Sequence, residues 1–444
     1  MRKGEQVRGK QWYYRGSLKS CNYACAYCPF SKKPASVQEM EQDEKQLIRF
    51  VDTLCGMDGQ TCAVQIVPYG EALIHEYYWR EIARLSRQEH IELVGAQTNG
   101  SFPVEHMLAR YREQGGELKK LRLWCTFHPT MTAREAFLRQ CQILLENEIS
   151  FCVGTVGVPE QREDIRWLRE NLPTEVYLWV NRFDGLNRAY SQEEILDFLE
   201  IDPFFFMELA PSKADVSDCG GNVFVEGDGS CKRCNIDRGS HWNLYEGPSQ
   251  RRMFDDTGQM DNSCYRKHCS CYLAYCNRRL EALYMFGKYP AFRIPIFPTA
   301  FFFDVDGTLV PRGKSGVPER TQAILRGLHR FSRLFLATSL PWVDAACKTR
   351  DIAMILSGGV YAGGGHCVIH GGAIPGMTGV DRVFALAKSG NDCNTDDKVC
   401  NSGEEVKKQI QRLKKNQKAR HYRVYVYEKQ GEVYKITLVF TGTG

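Results

Sequence analysis

The 444-residue chain predicts an α/β protein: a parallel sheet or partial (β/α)6 barrel, then a cysteine-rich region, then a second, smaller α/β unit. Three observations carry this reading. Up to residue 181, short β-type runs alternate with amphipathic helical stretches. Between 206 and 286 the alternation gives way to Gly, Asp and Cys. Beyond a proline-containing segment, a new apolar run, Ala300 to Phe303, opens onto acidic residues.

The six β runs fall at 11–18, 62–67, 91–97, 121–127, 150–158 and 175–181, and each after the first is preceded by a helix-like segment. In the first such segment Leu47, Ile48, Val51 and Leu54 share one face, and Glu41, Asp43 and Glu44 lie near its start, where a helix dipole favours negative charge. Six parallel units leave a barrel incomplete. The organisation read from composition is therefore 1–205, 206–286 and 297–444. The stretch 287–298 between the last two reads as a linker, because Pro290 and Pro295 break helices and interrupt strand pairing.

Hydrophobic residues are 43% and charged residues 25% of the chain, which excludes a fibrous or largely disordered protein. The 58 basic residues nearly balance the 53 acidic ones, so a net charge of +5 gives no case for nucleic-acid binding. The N-terminus is polar, and nowhere do about 18 apolar residues run together. The expectation is a cytoplasmic protein without membrane spans. Nineteen cysteines are many for a reducing compartment, where clustered cysteines read as metal ligands. Cys55, Cys62, Cys125, Cys141, Cys152 and Cys347 sit singly among apolar neighbours and read as small core residues.

Cys21, Cys25 and Cys28 form one knot directly after the first strand. Three thiolates in one loop suit three corners of an iron–sulfur cubane and leave its fourth iron open. The segment CNYACAYC resembles the CxxxCxxC signature of the radical S-adenosylmethionine (SAM) superfamily, with aromatic Tyr27 before the last cysteine. This resemblance implies a 4Fe–4S cluster, SAM bound at the open iron, and reductive cleavage to a 5'-deoxyadenosyl radical. After the second strand, PYGEALI looks like the superfamily's GGE motif with Tyr69 in place of the first glycine, which implies that Gly70 and Glu71 meet the SAM amino group. Thr98 and Asn99 end the third strand and are expected at the barrel mouth, as are His128 and Asn181. Arg15 and Lys19 are of a type that holds carboxylates but read as surface charge. More narrowly, residues 12–275 resemble a group of short bacterial radical SAM proteins.

Cys219, Gly229 and Cys234 match the first half of the SPASM/Twitch auxiliary-cluster pattern, with VFVEGDGS reading as a hairpin between them. Cys264, Cys269, Cys271 and Cys276 depart from its second half. The reading is one auxiliary 4Fe–4S cluster on Cys219, Cys234 and two of these four. Cys231 and Cys234 also have the CxxC spacing of a zinc site.

Asp304-Val305-Asp306-Gly307-Thr308 resembles motif I of the haloacid-dehalogenase (HAD) superfamily. That resemblance implies Asp304 as nucleophile, Asp306 as acid and base, and Mg²⁺ beside them. LFLATSLP supplies a second motif, with Thr338 or Ser339 for phosphate oxygens. Lys348 follows it too closely for the family's lysine, and Lys388 with Asp392 and Asp396 lacks a clean strand. The helix at 404–415 and the hairpin after it read as a cap in which the chain stops, giving a truncated phosphatase of weak or no activity. The leading function is a radical SAM enzyme abstracting hydrogen from an unknown substrate, with a flavodoxin or ferredoxin as reductant. A peptide-modifying maturase and a non-catalytic iron–sulfur or zinc scaffold are the alternatives.

Overall fold

Each predicted β run folds as a strand, and the strands follow one another across one sheet in the order of the sequence. In the computed structural model the described residues are 9–28, 30, 33–57, 61–209, 212–213, 219, 221–232, 234, 236, 242–246, 268–269, 271, 276, 285–296, 300–361, 366–369, 422–429 and 432–440. Strands β1 (Lys10–Gly16), β2 (Cys62–Ile66), β3 (Ile91–Thr98), β4 (Leu121–Phe127), β5 (Ser150–Val156) and β6 (Leu178–Asn181) pair in parallel. Parallel neighbours need crossovers. These are supplied by α1 (Val37–Cys55), α2 (Glu76–Ser86), α3 (Val104–Glu113), α4 (Arg134–Glu146) and α5 (Arg162–Asn171), with α6 (Gln192–Ile201) after β6. Helix α1 starts at a capping box formed by Ser36 and Glu39 and buries Leu47, Phe50, Val51 and Leu54.

The sheet continues past β1. After the short helix α7 (Phe206–Leu209) and β7 (Ser212–Lys213), β8 (Asn222–Glu226) pairs in parallel with the free edge of β1. It turns through Gly229 into the antiparallel β9 (Ser230–Lys232), which pairs with β10 (Trp242–Asn243). The hairpin expected in the cysteine-rich region is thus an edge of a nine-stranded sheet. Strand β11 (His268–Cys269) pairs with β7. By contact the chain divides into two units, Met1–Ile296 and Phe297–Gly444.

The expected linker is not one over 289–293. Tyr289, Ala291, Phe292 and Arg293 are buried, the last at 0% exposure. Ala291 N donates to Gln11 Oε1 on β1 (3.0 Å), Cys152 Sγ on β5 to Phe292 O (3.4 Å), and Trp179 Nε1 on β6 to Arg293 O (2.6 Å). A single segment reaches strands from both sides of the parallel run, so the sheet curls around it and the segment forms its floor. Prolines remove amide donors but do not oppose burial, and the apolar area of Tyr289 and Phe292 favours it.

The second unit has β12 (Ala300–Phe303), β13 (Arg333–Ala337) and β14 (Leu356–Tyr361) in parallel, with β15 (His366–Ile369) antiparallel to β14. Strands β16 (Tyr422–Lys429) and β17 (Glu432–Phe440) form the expected hairpin. The expected helix before it, with Lys388, Asp392 and Asp396, lies outside the described residues. Among the single cysteines, Cys62, Cys125, Cys141 and Cys152 are buried as expected, whereas Cys55 is half-buried and Cys347 is exposed on a short helix. Among the described residues no helix is long and apolar enough to cross a membrane.

Candidate active site

The loop carrying Cys21, Cys25 and Cys28 leaves the carboxyl end of β1 and is held at two places. Ser17 donates from its amide (3.2 Å) and its hydroxyl (3.1 Å) to Asp43 Oδ1. Asp43 Oδ2 accepts from Tyr77 (2.8 Å) and Tyr78 (2.7 Å). Asp43, expected near a helix start, is a buried acceptor that ties the loop to α1 and α2. The second tie is backbone: Gly70 N donates to Leu18 O (3.0 Å) and Glu71 N to Ser20 O (2.9 Å).

Glu71 is buried and saturated. Its Oε1 accepts from Thr98 Oγ1 (2.7 Å) and Leu73 N (3.0 Å), and its Oε2 from Asn99 N (2.6 Å). Burial pushes its carboxyl up to about 7, against the pull of these donors. Asn99 Nδ2 in turn donates to Asn22 Oδ1 (2.9 Å) and points at Cys21 Sγ (3.8 Å), which also accepts from Tyr23 N (3.4 Å). Gly70, Glu71, Thr98 and Asn99, expected to touch a cofactor, are knitted together as the frame behind Cys21 while still lining the cavity in front of it.

On the opposite side of the loop, His128 at the end of β4 lies 2.7 Å from Tyr27 Oη and 3.4 Å from Cys25 Sγ through the same Nδ1. Burial lowers its pKa to about 4, and its Nδ1 and the tyrosine hydroxyl share one hydrogen bond. Burial is also the main force holding the Cys25 thiol up at about 11.

All three thiols line one cavity of about 510 Å³ at the carboxyl ends of the strands, where parallel α/β proteins place ligands. Among the described residues no group of three or more His, Cys, Asp or Glu stands close enough to hold a single metal ion. A cubane takes one thiolate on each of three irons, and three soft donors lining one cavity suit that group.

The second set of cysteines is not assembled into a metal-holding group among the described residues. Cys219, Cys234 and Cys269 are half-buried, and Cys271 and Cys276 are buried. Cys271 lies within electrostatic reach of Arg15 and Cys276 within reach of Cys152. Cys264 is outside the described residues. Cys231 packs inside the hairpin, its Sγ 3.4 Å from Gly229 O.

In the second unit Asp304 follows β12 and Thr338 follows β13, adjacent parallel strands. Both aspartates are exposed, and the turn after them uses Gly307 at φ +78°. Lys348 Nζ reaches Asp306 Oδ1 at 2.5 Å, although its spacing in sequence argued against such a role. Helix Trp342–Lys348 carries it back toward the strand ends. Buried Thr338 uses its hydroxyl oxygen locally, accepting from Leu340 N (3.2 Å).

Sequence reasoning left Arg15 as surface charge and missed Gln65 and Thr126; all three line the cavity. The available signal was strand alternation, since polar residues at 15, 65, 97 and 126 share the face that a packed parallel sheet makes apolar.

No family model matches the chain, and no curated protein does. Solved structures do match. Native anSMEcpe with bound AdoMet is similar over 56% of this chain and 82% of that one, at 12% identity and a TM-score of 0.40. BtrN in complex with AdoMet and 2-DOIA is similar over 54% and 79%, at 14% identity and a TM-score of 0.29.

Proposed function

We propose that Met1–Ile296 is a radical SAM enzyme unit in which Cys21, Cys25 and Cys28 hold a 4Fe–4S cluster and AdoMet binds beside it. One observation carries this reading: three thiols in CxxxCxxC spacing line a single cavity at the carboxyl ends of sequential parallel strands. The chemistry supplied when these groups are bound is one-electron cleavage of the AdoMet sulfonium to a 5'-deoxyadenosyl radical, which takes hydrogen from a substrate. The chain's own part is positional. Asp43 and Gly70 fix the loop from below, Glu71 holds Thr98 and Asn99 behind Cys21, and Tyr27 and His128 cover Cys25 from the side. An auxiliary cluster on Cys219, Cys234 and two of Cys264, Cys269, Cys271 and Cys276 belongs to the same proposal. A flavodoxin or ferredoxin is the proposed reductant.

Anaerobic reconstitution tests it. The expected result is iron and sulfide in cluster stoichiometry, and 5'-deoxyadenosine on adding reductant and AdoMet, lost in Cys25→Ala. An intact cluster without that product favours a scaffold, and zinc in place of iron refutes the reading.

The contact between Lys348 and Asp306 favours a second activity for residues 297–444. We propose a HAD-like site in which Asp304 attacks phosphorus and displaces an alcohol, Asp306 protonates that alcohol and then takes a proton from the water that hydrolyses the aspartyl phosphate, and Lys348 balances charge; Asp304 and Asp306 would hold Mg²⁺, which would offset the phosphate's charge. Thr338 accepts from Leu340 N and keeps its hydroxyl hydrogen for a phosphate oxygen; activity is expected to be weak because the sequence beyond residue 338 shows no clean strand carrying the family's second acidic pair. Mg²⁺-dependent hydrolysis of p-nitrophenyl phosphate by the full chain measures it; robust turnover abolished by Asp304→Asn would show a fully competent phosphatase instead.

A further inference from the structure

The inner face of a curled parallel sheet is normally filled by apolar side chains. Here it carries Arg15, Gln65, Gln97, Thr126 and Asn181 on β1, β2, β3, β4 and β6, and all five line the cavity. Two are incomplete. Gln65 is 3% exposed with no hydrogen-bond partner for Oε1, and Thr126 is 8% exposed with none for Oγ1. Each such buried group bears the cost of an unmade hydrogen bond, which a ligand able to bond it would recover.

Arg15 brings a guanidinium to this wall. Arg15 Nη1 donates to Val67 O (2.8 Å), and its guanidinium lies 5.0 Å from the Tyr69 ring and 5.8 Å from that of Phe224. Behind the wall, Arg293 is fully buried at a left-handed φ of 52°, a strained position for a side-chain-bearing residue. Its guanidinium lies 4.0 Å from the Trp124 ring, and its Nη1 donates to Asn181 Oδ1 (2.7 Å). The nearby carboxylates are engaged: Glu71 by three donors, Asp184 by Arg182 (2.8 Å), and Glu226, within electrostatic reach of Arg15, by Lys232 (2.7 Å).

We propose that this wall is a substrate subsite for a compact carboxylic acid, its carboxylate against Arg15 and its hydrogen-bonding groups against Gln65 and Thr126. The proposal rests on the radical SAM reading for the reaction, though not for the binding. AdoMet carries a carboxylate too, and the test separates the two sources.

The reconstituted full chain, saturated with AdoMet, is melted in the presence of acetate, succinate, glutarate, L-aspartate or L-glutamate, each compared with its amide at matched ionic strength. At least one acid is expected to raise Tm where its amide does not, and Arg15→Gln to abolish the rise. Gln65→Leu and Thr126→Val are expected to raise the ligand-free Tm, because each removes an unpartnered buried polar group, and to weaken the acid about tenfold, close to the loss of one hydrogen bond. The proposal is overturned if no acid differs from its amide, if the response survives Arg15→Gln, or if both uncharged variants lower the ligand-free Tm. It is also overturned if Arg15→Gln weakens AdoMet while sparing decarboxylated AdoMet, which would assign the arginine to the cosubstrate. Failure of the radical SAM reading shows separately, as missing iron, sulfide and 5'-deoxyadenosine, while acid binding is still read from Tm.

Discussion

A Cβ on residue 70 would stand 2.0 Å from the carbonyl oxygen of Ser20, so Gly70 and Ser20 make a contact that only glycine permits. The atom in the way is backbone and belongs to the residue before Cys21. Gly70→Ala is therefore expected to push the cysteine loop off its strand. Iron incorporated on reconstitution should fall several-fold, while the helical circular dichroism of the unit stays near wild type. Full iron loading in Gly70→Ala would contradict the role given to this contact.

Asp43 collects four donors on two oxygens, from Ser17 twice and from Tyr77 and Tyr78. An amide in its place turns one oxygen into a donor that faces either the serine or two tyrosine hydroxyls. Asp43→Asn is expected to cost about 2–4 kcal/mol in denaturant unfolding. A cost below about 0.5 kcal/mol, the level of an ordinary surface change, would mean that the network does not anchor the loop.

Glu71→Gln sets the same conflict deeper in the fold, because its amide nitrogen must face either Asn99 N or the pair Thr98 Oγ1 and Leu73 N. The expected loss is about 2 kcal/mol together with reduced iron loading, since Asn99 is the group that reaches Cys21. A variant that loads iron normally would make Glu71 a stabilising residue without influence on the knot.

Glu194 caps α6 and is clasped by Arg188 through Nη1 (2.7 Å) and Nη2 (2.6 Å). Hydrogen bonds from Arg188, then from Ser191, hold its carboxyl down from 4.5 to about 2. A lowered carboxyl pKa contributes stability that is complete above the unfolded value and is lost as pH falls through the folded one. Glu194→Gln is expected to cost about 1–2 kcal/mol at pH 7, with the half-exposed arginine limiting the gain, and the difference should shrink from pH 4.5 toward pH 2. Parallel stability curves of the two proteins across that window would rule the assignment out.

The strands were legible because each is a short β-rich run bounded by helical periodicity, and Cys21, Cys25 and Cys28 were legible because cysteine spacing is local. What escaped was set by long-range placement. Arg15 reads as surface charge until β8 and the loop after β2 bring Phe224 and Tyr69 beside it. Lys348 reads as too near Thr338 in sequence until a helix folds it back onto Asp306. Pro290 announces a break in regular structure, which is correct, but says nothing of burial, and Arg293 beside it is wholly enclosed.

The floor formed by Tyr289 to Arg293 also bears on how the polypeptide can be cut or recombined. A fragment ended at residue 286, where composition places the edge of the cysteine-rich region, would lose the groups that cap Gln11, Cys152 and Trp179 from below and leave an aromatic-lined hole prone to self-association. Ending at Ile296 retains them. The transplantable module is therefore longer than its cysteines suggest, and its last residues belong to the first unit.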